Sequence, residues 1–347
     1  MRVQVKNLRV QVKKCRRASI AYRIHPSWKF EYRPHARCHD SHFRVCRNGN
    51  STLILMSSRN ADLQREQANH PREFLDFIHA YPVLSRRSGG VSIGVNLNVD
   101  KHCNFDCPYC QVDRTVPKPR QVISIATIRK ELESLLSACD ARGICRLERF
   151  TSIADEDKQL RDIAVSGDGE PTMIPEFAEV CAMLTGLQAS RPELAFKLVL
   201  ITNSTLFDRN SVLEGIGHLL SRNGEVWAKL DAGTEAWFQK INVSRVSLDK
   251  IESNLIRLGK SHPFKIQSLF CGIDGIVPPP EEMQAYLGRL GRVKAAGSAI
   301  QEVQLHTLAR KPAQTTCTPV TGEFLQSLRA TIESVIGIPA RVFGVEV

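Results

Sequence analysis

The sequence predicts an α/β fold, an open barrel of six parallel strands, each followed by a helix. Two observations predict it. Short apolar runs alternate six times with stretches whose apolar residues recur at helical spacing, the pattern of parallel strands joined by right-handed crossovers. Six units also fall short of the eight that close a barrel, so the sheet should remain a partial (β/α)6 barrel.

The elements follow in order. Val91–Val99 reads as strand and runs into a loop, after which Ile125–Cys139 carries apolar residues at Ile125, Ile128, Leu132, Leu135 and Leu136. Ile163–Ser166 is strand, and Pro175 suits the first turn of a helix over Pro175–Leu187. Phe196–Asn203 is strand and Ser211–Leu220 helix. Glu225–Asp231 is strand and Ser247–Leu258 helix; Phe264–Cys271 is strand and Glu281–Ala296 helix. Glu302–Leu308 is the sixth strand, with a final helix over Gly322–Ile336. Function in such sheets gathers at the carboxyl ends of the strands. The polar residues there are Asn203, Ser204, Lys229, Asp231, Asp274, His306 and Thr307, each either a site residue or the cap of the next helix.

The loop after the first strand holds Cys103, Cys107 and Cys110 in a C-x3-C-x2-C spacing. Asn104, Asp106 and Pro108 keep this stretch out of a helix, so three thiolates can wrap one face of a metal cluster. A closed structural zinc site needs four donors, and no second C-x2-C or H-x3-5-H pair follows. Three soft ligands on a 4Fe–4S cluster leave one iron open. A second short motif, Ile163-Ala164-Val165-Ser166-Gly167-Asp168-Gly169-Glu170-Pro171-Thr172, is an apolar strand ending in a small-residue turn with carboxylates.

The cysteine triplet, with Tyr109 just before its last member, resembles the cluster loop of the radical S-adenosylmethionine (radical SAM) enzymes, whose usual core is a three-quarter barrel. The second motif resembles that family's "GGE" turn, with Asp168 in place of a glycine. The resemblance covers about residues 81–310. It implies that Cys103, Cys107 and Cys110 hold a 4Fe–4S cluster whose open iron chelates S-adenosylmethionine. It also implies that Tyr109 covers the adenine side and that Gly169 and Glu170 meet the methionine ammonium. Asn203, Lys229 and Asp231 would then face the ribose and carboxylate. A close approach of backbone at glycine, and a carboxylate beside a cation, suit that role. The family's chemistry further implies an external one-electron reductant of the flavodoxin or ferredoxin type.

Within the superfamily the chain resembles the branch that includes the tRNA wyosine-base synthases. The matching residues are Val165–Thr172, Lys229-Leu230-Asp231-Ala232-Gly233-Thr234 and the lead-in Ser92-Ile93-Gly94-Val95-Asn96-Leu97. The substrate stays open between a small molecule and tRNA, and no residue is assigned to catalysis itself. The rival readings are a wyosine-type tRNA-modifying enzyme, a non-catalytic iron–sulfur or zinc module, and a glycyl-radical activase.

Charge divides the chain. Residues 1–60 hold 14 Lys+Arg and 2 Asp+Glu, whereas residues 61–347 hold 33 and 34. The enzyme-like part is therefore near neutral and carries no overall excess suited to a polyanion. Residues 1–60 read as a poorly ordered basic extension, with a start assigned too far upstream as the accompanying expectation. Val3, Val5, Val10 and Val12 give a strand-like alternation there, and Cys38, His39, His42 and Cys46 a possible zinc group. Residues 61–90 are expected to form a lead-in helix and loop, 91–310 the barrel, and 311–347 a helix and strand packed on it. Cys139, Cys145 and Cys181 are expected to be ordinary thiols, Cys271 to end a strand, and Cys317 to lie in an exposed loop. Gly259-Lys260-Ser261 lacks the glycine spacing of a phosphate loop. No secretory pattern or run of ~20 apolar residues is present, so a cytoplasmic protein without a membrane segment is expected.

Overall fold

The computed structural model describes residues 62–347, apart from 70, 117, 120, 121, 315 and 345–347, and the backbone of short elements before residue 62. The chain divides into two units. The first carries a small sheet of β1 (Arg2–Val5), β2 (Leu8–Gln11), β3 (Lys29–Tyr32), β4 (Phe43–Arg47) and β5 (Asn50–Leu53), ordered β1-β2-β3-β4-β5. Val3, Val5 and Val10 fall on the first two strands. The side chains of Cys38, His39, His42 and Cys46 lie outside the described residues. Helix α1 spans Ser58–Ala68.

The second unit is built on an eight-stranded sheet. Its order is β15 (Ala340–Phe343), β13 (Ile300–His306), β11 (Phe264–Leu269), β10 (Gly224–Lys229), β9 (Lys197–Thr202), β8 (Leu160–Val165), β7 (Gly90–Val95) and β6 (Ala80–Ser85). All neighbours pair in parallel except β6 and β7. The six parallel strands of the sequence reading are β7, β8, β9, β10, β11 and β13, and the sheet is an α/β half-barrel. One flanking strand, β6, within the lead-in, was not legible; β15 forms the other edge. A small pair, β12 (Cys271–Ile273) with β14 (Cys317–Pro319), sits outside the main sheet.

The helices bury one stripe each. In α2 (Ile125–Ser137) the Ser124 side chain caps the Thr127 N–H, and Ile128, Leu132, Leu135 and Leu136 are buried, the spacing of one helix face. Helix α3 spans Phe177–Ala189 and α4 Asn210–Leu220. Thr234 caps α5 (Glu235–Ile241), and Ser247 caps α6 (Leu248–Ser261). Gly259-Lys260-Ser261 is helical and no phosphate loop. Helix α7 is Pro280–Ala295; α8 is Gly322–Thr331, prolonged by one π turn, Ile332–Ile336.

Strand alternation gives the barrel two faces. Ile163, Leu198, Leu200, Val226, Ala228, Ile266, Val303 and Leu305 are buried toward the helices. The partnered register puts Ala164, Val199, Trp227, Gln267 and Gln304 on the inner face. There Ala164, Val199, Trp227 and Ile201 pack together.

Three expectations about cysteines need correction. Cys139 and Cys145 are joined by a disulfide, because the chain reverses at Gly143 (φ +76°) and sets the two facing each other across a β-bridge. Cys317 is buried on β14 rather than exposed.

Candidate active site

The cysteine loop leaves β7 through Asn96 and Asn98 and lies at the carboxyl end of the sheet, anchored on two sides. On one side, the Asp106 N–H donates to the Asn242 carbonyl (3.0 Å) and the Ser244 hydroxyl to the Asn104 carbonyl (3.0 Å). The Phe105 ring meets Phe238 of α5 edge-on at 5.5 Å. On the other side, the Glu170 N–H donates to the His102 carbonyl at 3.2 Å. A Cβ at Gly169 would lie 1.9 Å from that same oxygen, and one at Gly167 2.3 Å from Asn96 Oδ1. Only glycine allows the turn and the cysteine loop to touch.

Each thiol has a distinct setting. Burial, with the Glu170 charge, pushes Cys103 up to about 11. Burial pushes Cys107 to about 12 against the opposing pull of Lys229. At Cys110 burial works in the same direction but is outweighed by Arg114, which donates to its sulfur at 3.4 Å, and the thiol falls below its ordinary value. Asn242 Nδ2 donates to Cys107 Sγ at 3.4 Å. A cavity of about 350 Å3, lined by His102, Cys103, Arg114 and Lys118 among others, opens beside the loop.

Three soft donors ringed by Arg114, Lys229 and an amide fit an anionic iron–sulfur cluster, whose charge and sulfur atoms such groups stabilise. Among the described residues no three His, Cys, Asp or Glu side chains converge closely enough to hold a single ion.

The other residues singled out in the sequence lie around the same loop. The Tyr109 hydroxyl donates to Asp231 Oδ2 at 2.5 Å and accepts from Lys229 Nζ at 2.7 Å. Asn242 adds a bond to the same carboxylate at 2.9 Å, and Asp231 Oδ1 accepts the Leu269 N–H. Burial and the Asp231 charge push the Tyr109 hydroxyl well above its ordinary value, so it stays a protonated donor. Lys229, one-fifth exposed, keeps ammonium hydrogens to spare. Burial lowers its pKa, but Asp231 and the thiols of the loop outweigh this and raise it.

Glu170 faces inward. It is 2% exposed, and its carboxylate accepts from the Thr172 N–H (3.1 Å), the Thr172 hydroxyl (2.6 Å), the Thr202 hydroxyl (2.6 Å) and the Asn203 N–H (2.7 Å). It braces the end of β8 against the end of β9. Asn203 reaches the cysteine loop itself, donating to Asn104 Oδ1 at 2.6 Å. Asp168 pairs with Arg72 and accepts from Asn96 Nδ2 (2.8 Å), while its carbonyl accepts from Arg114 (2.9 Å).

Arg72, Asn96, Arg114 and Asn242 therefore belong to the site and were missed. Arg114, four residues after Cys110, had a positional signal; Asn242 caps α5, a helix the periodicity did not show.

No family model matches this chain. It is 30% identical over 180 residues to a UPF0026 protein of Methanocaldococcus jannaschii, covering 50% of this chain and 47% of the relative. It is 28% identical over 196 residues to neomycin C epimerase of Streptomyces fradiae, covering 56% and 50%. The chain thus spans about half the length, or less, of the curated relatives it matches. Among solved structures, a TYW1 with a lysine–pyruvate adduct bound superposes with a TM-score of 0.51 at 12% identity, over 81% of this chain and 91% of that one. A radical SAM methyltransferase from Sphaerobacter thermophilus superposes with a TM-score of 0.52 at 12% identity, over 90% and 76%.

Proposed function

We propose, for a chain whose fold is that of the radical SAM superfamily in its wyosine-synthase-like branch, that it is an enzyme cleaving S-adenosylmethionine reductively. The observation that carries this is the three-cysteine loop, clamped between the Gly169 turn and Asn242 and ringed by cations. When bound, a 4Fe–4S cluster on Cys103, Cys107 and Cys110 would supply the electron that splits the sulfonium and releases a 5′-deoxyadenosyl radical. The chain's own residues do the positioning. Arg114 and Asn242 offset the negative charge of the thiolates. Lys229, with hydrogens uncommitted, meets the carboxylate of the cofactor. The carboxylates of Glu170 and Asp231 are committed to holding strand ends, so the cofactor's ammonium falls to backbone carbonyls of the Gly167–Gly169 turn. Tyr109, pinned through its hydroxyl, presents its ring face. Solvent exclusion by the packed strand ends strengthens each of these contacts.

The test is anaerobic reconstitution with iron and sulfide, followed by reduction in the presence of S-adenosylmethionine. Release of 5′-deoxyadenosine is expected, and Cys103→Ala should lose both the cluster absorbance and the product. A protein that binds no S-adenosylmethionine, or one that retains its cluster in Cys103→Ala, would defeat the reading. The near-neutral charge of residues 61–347 favours a small-molecule substrate over tRNA, and the location and electron donor follow only from chemistry of this class. Among the described residues no helix is long and apolar enough to cross a membrane.

A further inference from the structure

We propose that the barrel interior holds an anion-binding subsite for the substrate, formed by Arg87, His306 and Arg310 with the amide of Gln267, and that the substrate carries a carboxylate or phosphate group. This rests on the enzymatic reading above and narrows its substrate class.

The inner face of the sheet is unusually polar for a barrel lining. Gln267 and Gln304 stand side by side on β11 and β13, and His306 follows one inward position later. The Gln267 Nε2, Gln304 Oε1, His306 Nε2 and Arg310 Nη1 atoms are all buried without a hydrogen-bond partner. Buried polar atoms without partners are rare and costly. The three that can donate, Gln267 Nε2, His306 Nε2 and Arg310 Nη1, mark a place that a ligand completes; Gln304 Oε1 is an acceptor, and its amide nitrogen donates to Glu302 at 3.3 Å. Arg87, from the β6–β7 turn, lies over the Trp227 ring at 5.0 Å on this same face.

The charges around it are unmatched. Each nearby acid is already committed: Asp162 accepts from the Ser92 hydroxyl, Glu225 pairs with Lys197 and Lys265, Asp168 with Arg72, and Asp231 with Lys229. Asp162 acts on Arg87 electrostatically, but among the described residues neither Arg87 nor Arg310 forms a direct ion pair. Burial and the neighbouring Arg87, Arg86 and Arg72 draw Arg310 down to about 10. Burial, Arg87 and Lys229 lower the His306 pKa well below its ordinary value, so its ring is neutral. It stacks on Phe343 at 5.0 Å, which fixes the ring plane. Two guanidinium groups, a neutral imidazole and the Gln267 amide suit an oxyanion, which arginine forks recognise through paired hydrogen bonds.

The full chain, reconstituted anaerobically, should be titrated by calorimetry with sodium acetate and with inorganic phosphate, against sodium chloride at equal ionic strength. At least one oxyanion is expected to bind, and selectivity between the two identifies a carboxylic acid or a phosphate ester. Arg310→Gln and Arg87→Gln should each weaken binding roughly tenfold or more. Arg310→Lys should retain part of it, and the remote surface change Arg222→Gln should not alter it. Binding no stronger than chloride, or equal binding by wild type and both glutamine variants, overturns the subsite. Wild-type cleavage of S-adenosylmethionine in the same preparation reports on the enzymatic reading separately: oxyanion binding without cleavage leaves the subsite standing and removes that reading.

Discussion

Replacing Gly169 by alanine probes the contact on which the site depends. The new Cβ would lie 1.9 Å from the His102 carbonyl oxygen, 2.7 Å from Asn98 Cβ and 2.8 Å from the His102 carbonyl carbon. Cβ contacts closer than 3.0 Å essentially do not occur, so the two segments must part by at least about 1 Å, a displacement large enough to disturb a reactive geometry severely. The obstacle is backbone and has no rotamer to escape into. Parting them breaks the bond from the Glu170 N–H to the His102 carbonyl and leaves a buried donor unmet, at about 1–3 kcal/mol. Overpacking adds about 1–3 kcal/mol. The moved peptide is the one that enters Cys103. Gly169→Ala should therefore lose about 2–6 kcal/mol of stability and hold less than half the iron and sulfide of the wild type. Urea denaturation of the metal-free protein reads the first, and metal analysis after anaerobic reconstitution the second. A variant as stable as wild type with full iron content would refute the claim that this contact shapes the loop.

Glu170→Ala should cost about 3 kcal/mol or more, since it strips four donors of their acceptor; Glu170→Gln should cost less, because only the Asn203 N–H then meets an amide that can donate. Equal stability of all three proteins in urea, with loss of cofactor binding alone, would make Glu170 a cofactor contact instead of a brace. At Glu225 burial works upward but is outweighed by Lys197, Lys265 and Trp227, which hold the carboxyl down at about 2. A depressed folded pKa contributes stability above the unfolded value and loses it as pH falls toward the folded one. The urea midpoint should thus drop between about pH 4.5 and 2; Glu225→Gln should flatten that slope, removing about 1–3 kcal/mol once the shift is discounted for solvent screening, and an unchanged slope would count against the pairing. Reducing the Cys139–Cys145 link, or replacing both with serine, should cost about 2 kcal/mol at most for so short a loop, read as a shift in melting temperature under reducing conditions; no shift would mean that the flanking backbone bonds alone close the turn.

What could be read in the sequence was what short-range pattern encodes. Cys103, Cys107 and Cys110 share one loop, and Gly167–Glu170 one turn, so their chemistry is visible without a fold. The six parallel strands announced themselves through apolar runs such as Ile163–Val165 and Leu198–Ile201. Residues brought in from a distance were silent. Asn242 reaches Cys107 and Asp231 only because α5 turns it there, and α5, with Trp237, Phe238 and Ile241 in seven residues, is under two turns long. Arg72 acts on Asp168 from 96 positions away. The sequence likeness placed Glu170 beside a ligand; the two threonine hydroxyls and two backbone donors that meet its carboxylate come from its fold and were not legible. Strand β6 escaped because an edge strand needs a neighbour more than a pattern.

The Lys197–Glu225–Lys265 chain of ion pairs, at 2.5 and 2.8 Å, lies at the amino-terminal mouth of the half-barrel, beneath Trp227. Its side chains knit three adjacent strands across the bottom of the vessel, with one carboxylate shared between two ammonium groups. A reactive species generated beside the cysteines, at the carboxyl end of the sheet, lies at the opposite end from this tied base. Loop motion at that far rim is the natural place to look for a step that limits turnover.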